Sequence, residues 1–298
     1  MKQFVSNRNS FCRQGRRPIT RSSQVLRRPS RGTQILLVAA MVFGLLVLQG
    51  PSPARATTSP SHRILITGDS IEHQASTYEA SMLAATGQVG VKLVTVPGIS
   101  FCALWPMITK NLKSFKPTVV VIELIGTGYS PCSKKYGALH SDAWFSALGQ
   151  ALEKGVVAMA AAGVSQVQLD AGPAAKINED WKSRLIGLYN ILALAHPDLV
   201  KQITPGLAVE GPGGSWTKSL PCLASEVASG ACAQAKSVNP GTIPVRSPDT
   251  FHLCTQAPVN PYSAVCPSYS SGAFRYAAAT VAPLISSWGL SPVPVYLH

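Results

Sequence analysis

Three residues of this chain could together carry out acyl transfer: Ser70 in Gly68-Asp69-Ser70, and Asp249 with His252 in Asp249-Thr250-Phe251-His252. A serine hydroxyl at neutral pH is a poor nucleophile and needs an adjacent base. An imidazole can take its proton. A carboxylate three residues upstream, on a tight loop, can reach the ring, hold its tautomer and stabilise the imidazolium. Each part has a plain alternative when read alone: Gly-Asp-Ser is often an ordinary turn, and Asp249–His252 could be an Asx turn beside a solvated ring. The other histidines offer less. His62, His196 and His298 fall in a linker, at a helix end and at the C-terminus, and read as surface residues. His140 precedes a helix cap and reads as structural, whereas His73, close after Ser70, is a candidate for touching substrate at the mouth of a site.

The first 56 residues read as an export signal rather than as fold. Met1 to Gln34 holds nine Lys/Arg and no acid, Ile35 to Leu48 is an apolar run with one glycine, and Ala54-Arg55-Ala56 is a small-x-small end. That order is a secretory signal, with cleavage expected after Ala56. The apolar run of about 14 residues falls short of the roughly 20 that span a bilayer, so cleavage is favoured over a retained anchor. A secreted or cell-envelope protein is expected, with a loose association with membrane or envelope left open. The formal net charge of +13 is largely a property of this leader, since ten of the 26 basic residues precede Thr57 and none of the 13 acidic ones does. A remainder near +3 makes no case for nucleic-acid binding, which wants a clustered basic face.

Six cysteines come after the leader: Cys102, Cys132, Cys222, Cys232, Cys254 and Cys266. An even count in an exported chain argues for disulfides. The simplest arrangement joins neighbours: Cys102–Cys132, Cys222–Cys232 and Cys254–Cys266. The last two would staple Pro-containing loops, each contributing about 3 kcal/mol in the chain-entropy model. Zinc is the rival use, disfavoured because no Cys-x-x-Cys pair occurs.

The elements that must position these residues alternate. Arg63–Thr67, Val89–Val96, Thr118–Ile125, Val164–Leu169 and Leu199–Ile203 read as strands. Helices are expected over 71–86, 103–115, 142–162, 178–195 and 272–288. Strands alternating with helices of this length imply βαβ units and a parallel sheet in one α/β domain spanning 57–298. Ser70 would then stand at the carboxyl edge of the sheet, where such proteins keep their sites. Residues 206–248 show no period, are rich in Gly, Pro and Ser, and hold one cysteine pair, so they read as an irregular stretch that is functional or stapled.

With these blocks in order, the chain resembles the SGNH, or GDSL-type, hydrolase family, in the exported bacterial branch that carries a cysteine just after the third block. Gly68-Asp69-Ser70 matches the first block, Gly98 in Val96-Pro97-Gly98 the second, and Asp249-Thr250-Phe251-His252 the last. The resemblance implies a flavodoxin-like three-layer sandwich with a five-stranded parallel sheet in the order 2-1-3-4-5. It implies Ser70 as nucleophile, His252 as base, Asp249 as its orienting acid, and an oxyanion hole from the amides of Ser70 and Gly98. In the sheet order 2-1-3-4-5, a Cys102–Cys132 bridge would fix the two loops flanking the first strand. The third block departs from the pattern: Gly126-Thr127-Gly128 stands where the family carries Gly-Asn or Gly-x-Asn. Thr127 is the candidate replacement donor, shorter and freely rotating.

The expected function is an exported serine esterase acting on carbohydrate or lipid esters, with O-acetylated polysaccharide the first choice and no metal or organic cofactor. A monomer is expected. Two alternatives stand beside it: an acyltransferase to sugar hydroxyls using the same triad, and a glycan-binding relative that has lost activity at Thr127.

Overall fold

Ile64–Ile66 and Val119–Ile122 lie side by side, buried on both faces, at the middle of a parallel sheet. Continuous Val/Ile/Leu runs are what such strands require, because helices cover both faces. The computed structural model describes residues 60–125, 130–176, 179–235, 237, 239–254 and 271–292, with 179 and 180 in backbone only. The leader expected over 1–56, and with it Cys12, lies outside these residues, as do Thr127, Cys266 and His298.

The strands are β1 (His62–Gly68), β2 (Val89–Thr95), β3 (Val119–Glu123), β4 (Gln166–Asp170) and β5 (Val200–Ile203). They pair in the order β2-β1-β3-β4-β5, all parallel, as the sequence implies. Between them run α1 (Ser70–Ala85), α2 (Phe101–Ser114), α3 (Asp142–Ala161) and α4 (Glu179–Ala195). The chain ends its core on α7 (Ser271–Ser287), after two short helices, α5 (Ala224–Ala228) and α6 (Ala231–Gln234). Helix α1 packs on α7, while α2 packs on α3 and α3 on α4, which makes the two outer layers. The strand order reverses between β1 and β3, and α/β folds hold ligands at such a switch point, beyond the carboxyl ends of the strands.

Local chemistry sets the element ends. Asp69 caps α1, its carboxylate accepting from the Ile71 amide at 3.2 Å. Ser141 caps α3 by accepting from Trp144 N at 3.2 Å. Gly68 is required by close approach: a Cβ there would sit 2.5 Å from Glu72 Cβ and 2.8 Å from the Glu123 carbonyl oxygen. Any side chain would push β1, β3 and α1 apart just before Ser70.

Residues 206–248 are more ordered than their composition suggests. They hold α5, α6 and an antiparallel pair, β6 (Ser219–Pro221) with β7 (Thr242–Pro244). The Cys222–Cys232 disulfide staples this unit as expected. It is joined to the main body through a buried ion pair in which Arg275 on α7 donates to Glu226 on α5 through Nε at 2.9 Å and Nη2 at 2.6 Å. Ser271 Oγ donates to the same carboxylate, and the Leu223 amide donates at 2.8 Å. Glu226 is fully buried. Removing one partner of such a pair strands the other charge, so Glu226→Ala is expected to lower the unfolding free energy by about 3–5 kcal/mol. Urea unfolding of the variant beside the parent measures this directly.

Candidate active site

The Gly68-Asp69-Ser70 turn fixes the serine at the first residue of α1, with 5% of its surface exposed. As the first helical residue, its N–H has no intrahelical acceptor. One strand over, the chain leaves β2 through a turn closed by Ile99 N donating to Val96 O at 3.2 Å, with Gly98 at φ 71°. That left-handed conformation suits glycine. Among the described residues neither the Ser70 nor the Gly98 amide has a hydrogen-bond partner. Two free N–H groups therefore stand at the sheet edge, as an anion site requires.

The Gly98 loop is tied across to the segment after β3. Cys102 and Cys132 form the expected disulfide, and Ser100 N donates to Ser130 Oγ at 2.9 Å. Thr127, the candidate third donor, lies outside the described residues, as does Cys266; Cys254 is disulfide-bonded.

The base and its acid come together as the Asp-x-x-His spacing predicts. His252 Nδ1 lies 2.7 Å from Asp249 Oδ2, and the amides of Phe251 and His252 each donate to Asp249 Oδ1 at 3.0 Å. Burial pushes the Asp249 carboxyl up, but these bonds outweigh it and hold the group well below the usual carboxylate range. It is therefore ionised at neutral pH and fixes the proton on Nδ1, leaving Nε2 free to accept one. The loop turns at Thr250, which adopts φ 66°. It is pinned at several points: Ser247 N donates to His252 O at 2.8 Å, Trp216 Nε1 to Thr250 O at 2.7 Å, Arg246 Nη1 to Phe251 O at 3.3 Å, and Leu253 N to Gln74 Oε1 at 2.7 Å. Arg246 is buried and also holds Ala174 O at 2.9 Å, so it ties this loop to the chain after β4. Among the described residues no hydrogen bond joins Ser70 Oγ to His252 Nε2. Such contacts are often long without substrate and tighten in the complex.

Asp69 does more than cap. Its Oδ2 accepts from Ile125 N at 2.9 Å, and its own amide donates to Glu123 Oε2 at 3.3 Å, which fastens the serine turn to the end of β3. Burial raises its carboxyl to about 6, against the hydrogen bonds from Ile125 and Ile71. Behind it lie four more fully buried acids: Glu72, Glu79, Glu123 and Asp170. Burial lifts Glu72, Glu123 and Asp170 well above the ordinary range, reinforced by neighbouring carboxyls, and lifts Glu79 to about 8. These four are therefore protonated and neutral at pH 7. Tyr189 and Tyr276 are buried beside them and raised by the same causes. Among the described residues no three of His, Cys, Asp and Glu are placed to hold a metal ion.

The remaining histidines are held structurally. His73 is half-buried, its Nδ1 2.9 Å from Thr95 Oγ1, and burial lowers its pKa. His140 stacks on Trp181 at 4.0 Å, in keeping with its structural reading. His62 and His196 are not the plain surface residues the sequence suggests: His62 stacks on Trp288 at 4.1 Å, and His196 Nε2 lies 2.8 Å from Glu153. The residues that sequence reasoning misses are Gln74, Glu123, Asp170, Trp216 and Arg246. Glu123 and Asp170 carry a signal, being acids inside apolar strands; the other three act across long sequence distances and carry none.

No protein-family model and no curated protein matches the chain. A catalytic variant of an acetylxylan esterase from Geobacillus stearothermophilus aligns with a TM-score of 0.39 at 15% identity, over 51% of this chain and 80% of that one. A lipase/acylhydrolase from Enterococcus faecalis aligns with 0.38 at 17% identity, over 51% and 85%. A protein assigned to the G-D-S-L family of lipolytic proteins, from Desulfitobacterium hafniense, aligns with 0.42 at 12% identity, over 54% and 86%. TM-scores of this size carry no weight alone; the fold class rests on the strand order and register above.

Proposed function

We propose that this protein is an exported serine ester hydrolase of the SGNH type. The observation that carries the reading is the 2.7 Å His252–Asp249 contact on a loop bonded to the helix that Ser70 begins. Ser70 Oγ attacks the ester carbonyl while His252 Nε2 takes its proton. The amides of Ser70 and Gly98, with the Thr127 hydroxyl, hold the oxyanion. His252 then protonates the departing alkoxide, and water, activated by the same imidazole, releases the acyl group. Asp249 holds the ring and stabilises its charged form. The donor that an asparagine would supply is replaced by Thr127, and loss of one oxyanion donor costs roughly 10²–10³ in rate. The reading is thus of a modest esterase.

For substrate, we favour short acyl groups on carbohydrate, O-acetylated polysaccharide first. The apolar cleft lined by Ile125, Pro173, Trp181, Leu185 and Phe251, beside the site loops, has a volume of only about 10 Å³. That is room for one small group. The purified protein is expected to release acetate from O-acetylated polysaccharide and to prefer acetyl over long-chain nitrophenyl esters. Adding free sugar and analysing products separates hydrolysis from transfer: acylated sugar in place of free acid would identify a transferase. Binding of glycan with neither product would identify a module without activity.

A further inference from the structure

We propose that Gln74 is a positioning residue: it sets His252 against Ser70 by carrying the base's loop on the nucleophile's own helix. The proposal rests on the esterase reading for its catalytic consequence and on geometry for its structural one. Gln74 stands four residues after Ser70 on α1, so the two side chains lie on the same face, one turn apart. Its Oε1 accepts the Leu253 amide at 2.7 Å in a buried setting, 179 residues away in sequence. Leu253 is the residue next to His252, so this bond fixes the peptide that carries the imidazole.

The other side-chain bonds to this loop come from elsewhere. Trp216 holds Thr250 from the stapled stretch, and Arg246 holds Phe251 from the strand end before the loop. They brace the Asp249–His252 pair internally without referring it to Ser70. Gln74 supplies that reference. A shift of the base by about 1 Å is enough to cost on the order of 100-fold in rate.

Stability alone does not explain an amide at this position. Gln74 Nε2 is buried and has no hydrogen-bond partner. An apolar side chain of the same shape would lose one bond but remove that orphaned donor, and exchanges of this kind are close to neutral for folding. A positioning role therefore predicts that function and stability separate on substitution.

Gln74→Met keeps the length and removes the acceptor; Gln74→Glu, neutral in this buried setting, keeps an acceptor oxygen. In Gln74→Met, kcat on a short nitrophenyl ester is expected to fall about 10- to 100-fold with KM within twofold and the thermal midpoint nearly unchanged, and Gln74→Glu to recover most of the loss. Independently of activity, ring ¹⁵N NMR of His252 should show one environment in the parent and in Gln74→Glu, and several or broadened ones in Gln74→Met. A Gln74→Met protein with parental His252 signals would overturn the proposal, whether or not the parent hydrolyses esters. A parent with no ester turnover but a His252 signal that splits in Gln74→Met would instead reject the esterase reading and keep the clamp.

Discussion

Replacing Ser70 by alanine should abolish ester hydrolysis, with a loss of about 10⁶-fold in kcat, the scale seen when the nucleophile of a serine hydrolase on another fold is removed. His252→Ala should lose nearly as much, because the two act as one unit and their effects do not add. Asp249→Asn should cost less, since the ring keeps contacts through its own backbone, but it removes the carboxylate that selects the Nδ1–H tautomer. A shared mechanism thus predicts an ordering: Ser70 and His252 equal and severe, the double variant no worse than either, Asp249 milder. The structural reason is that Ser70 starts a rigid helix and the Asp249–His252 loop is braced on several sides, so removing one side chain leaves the rest in place. Kinetics of the three single variants and the Ser70/His252 double variant check it. Independent, additive losses would contradict a shared mechanism.

The second large effect concerns stability and pH. Glu72, Glu79, Glu123 and Asp170 are buried acids whose folded pKa values lie above their ordinary ones, Glu79 at about 8 against 4.5. A raised acid binds its proton in the folded state where the unfolded chain has already released it. Its contribution is fully present below the unfolded pKa and is lost as pH rises through the folded one. The window runs from about 4.5 to about 8 for Glu79. Each carboxyl in its window removes about 1.4 kcal/mol of stability per pH unit. Asp249 works the other way, since its depressed pKa adds stability above the ordinary carboxylate range that is lost only in strong acid. Urea unfolding at pH 5, 7 and 9 should therefore show a steady loss of stability toward alkaline pH. Glu79→Gln, which keeps the shape and cannot ionise, should flatten that slope. A parent whose stability is level or rises from pH 5 to 9 would show that these acids are ionised in the folded protein.

The sheet was legible because its central strands are Val/Ile runs, and runs such as Val119–Ile122 leave little room for another fate. The triad was legible because Asp-x-x-His is local: one tight loop makes the contact, so the spacing encodes the geometry. The pair β6–β7 was not legible, since strands of three residues containing proline have no period to read. Nor were Gln74, Arg246 and Trp216. Each acts on the His252 loop through one hydrogen bond whose partner the chain order does not reveal. Glu72 and Glu79 look like ordinary solvated helix acids in sequence, and only the packing of α1 on α7 buries them. Glu123 and Asp170 could have been noticed, because a carboxyl closing a buried strand must be paired or protonated.

Catalysis by this route requires Ser70 to be a nucleophile activated by His252. The most direct measurement is labelling of the purified protein with a fluorophosphonate probe, with peptide mass mapping of the adduct. The expected result is a single adduct on Ser70, absent in Ser70→Ala and slowed by orders of magnitude in His252→Ala. Failure of the folded parent to label, or an adduct on another residue, would contradict it.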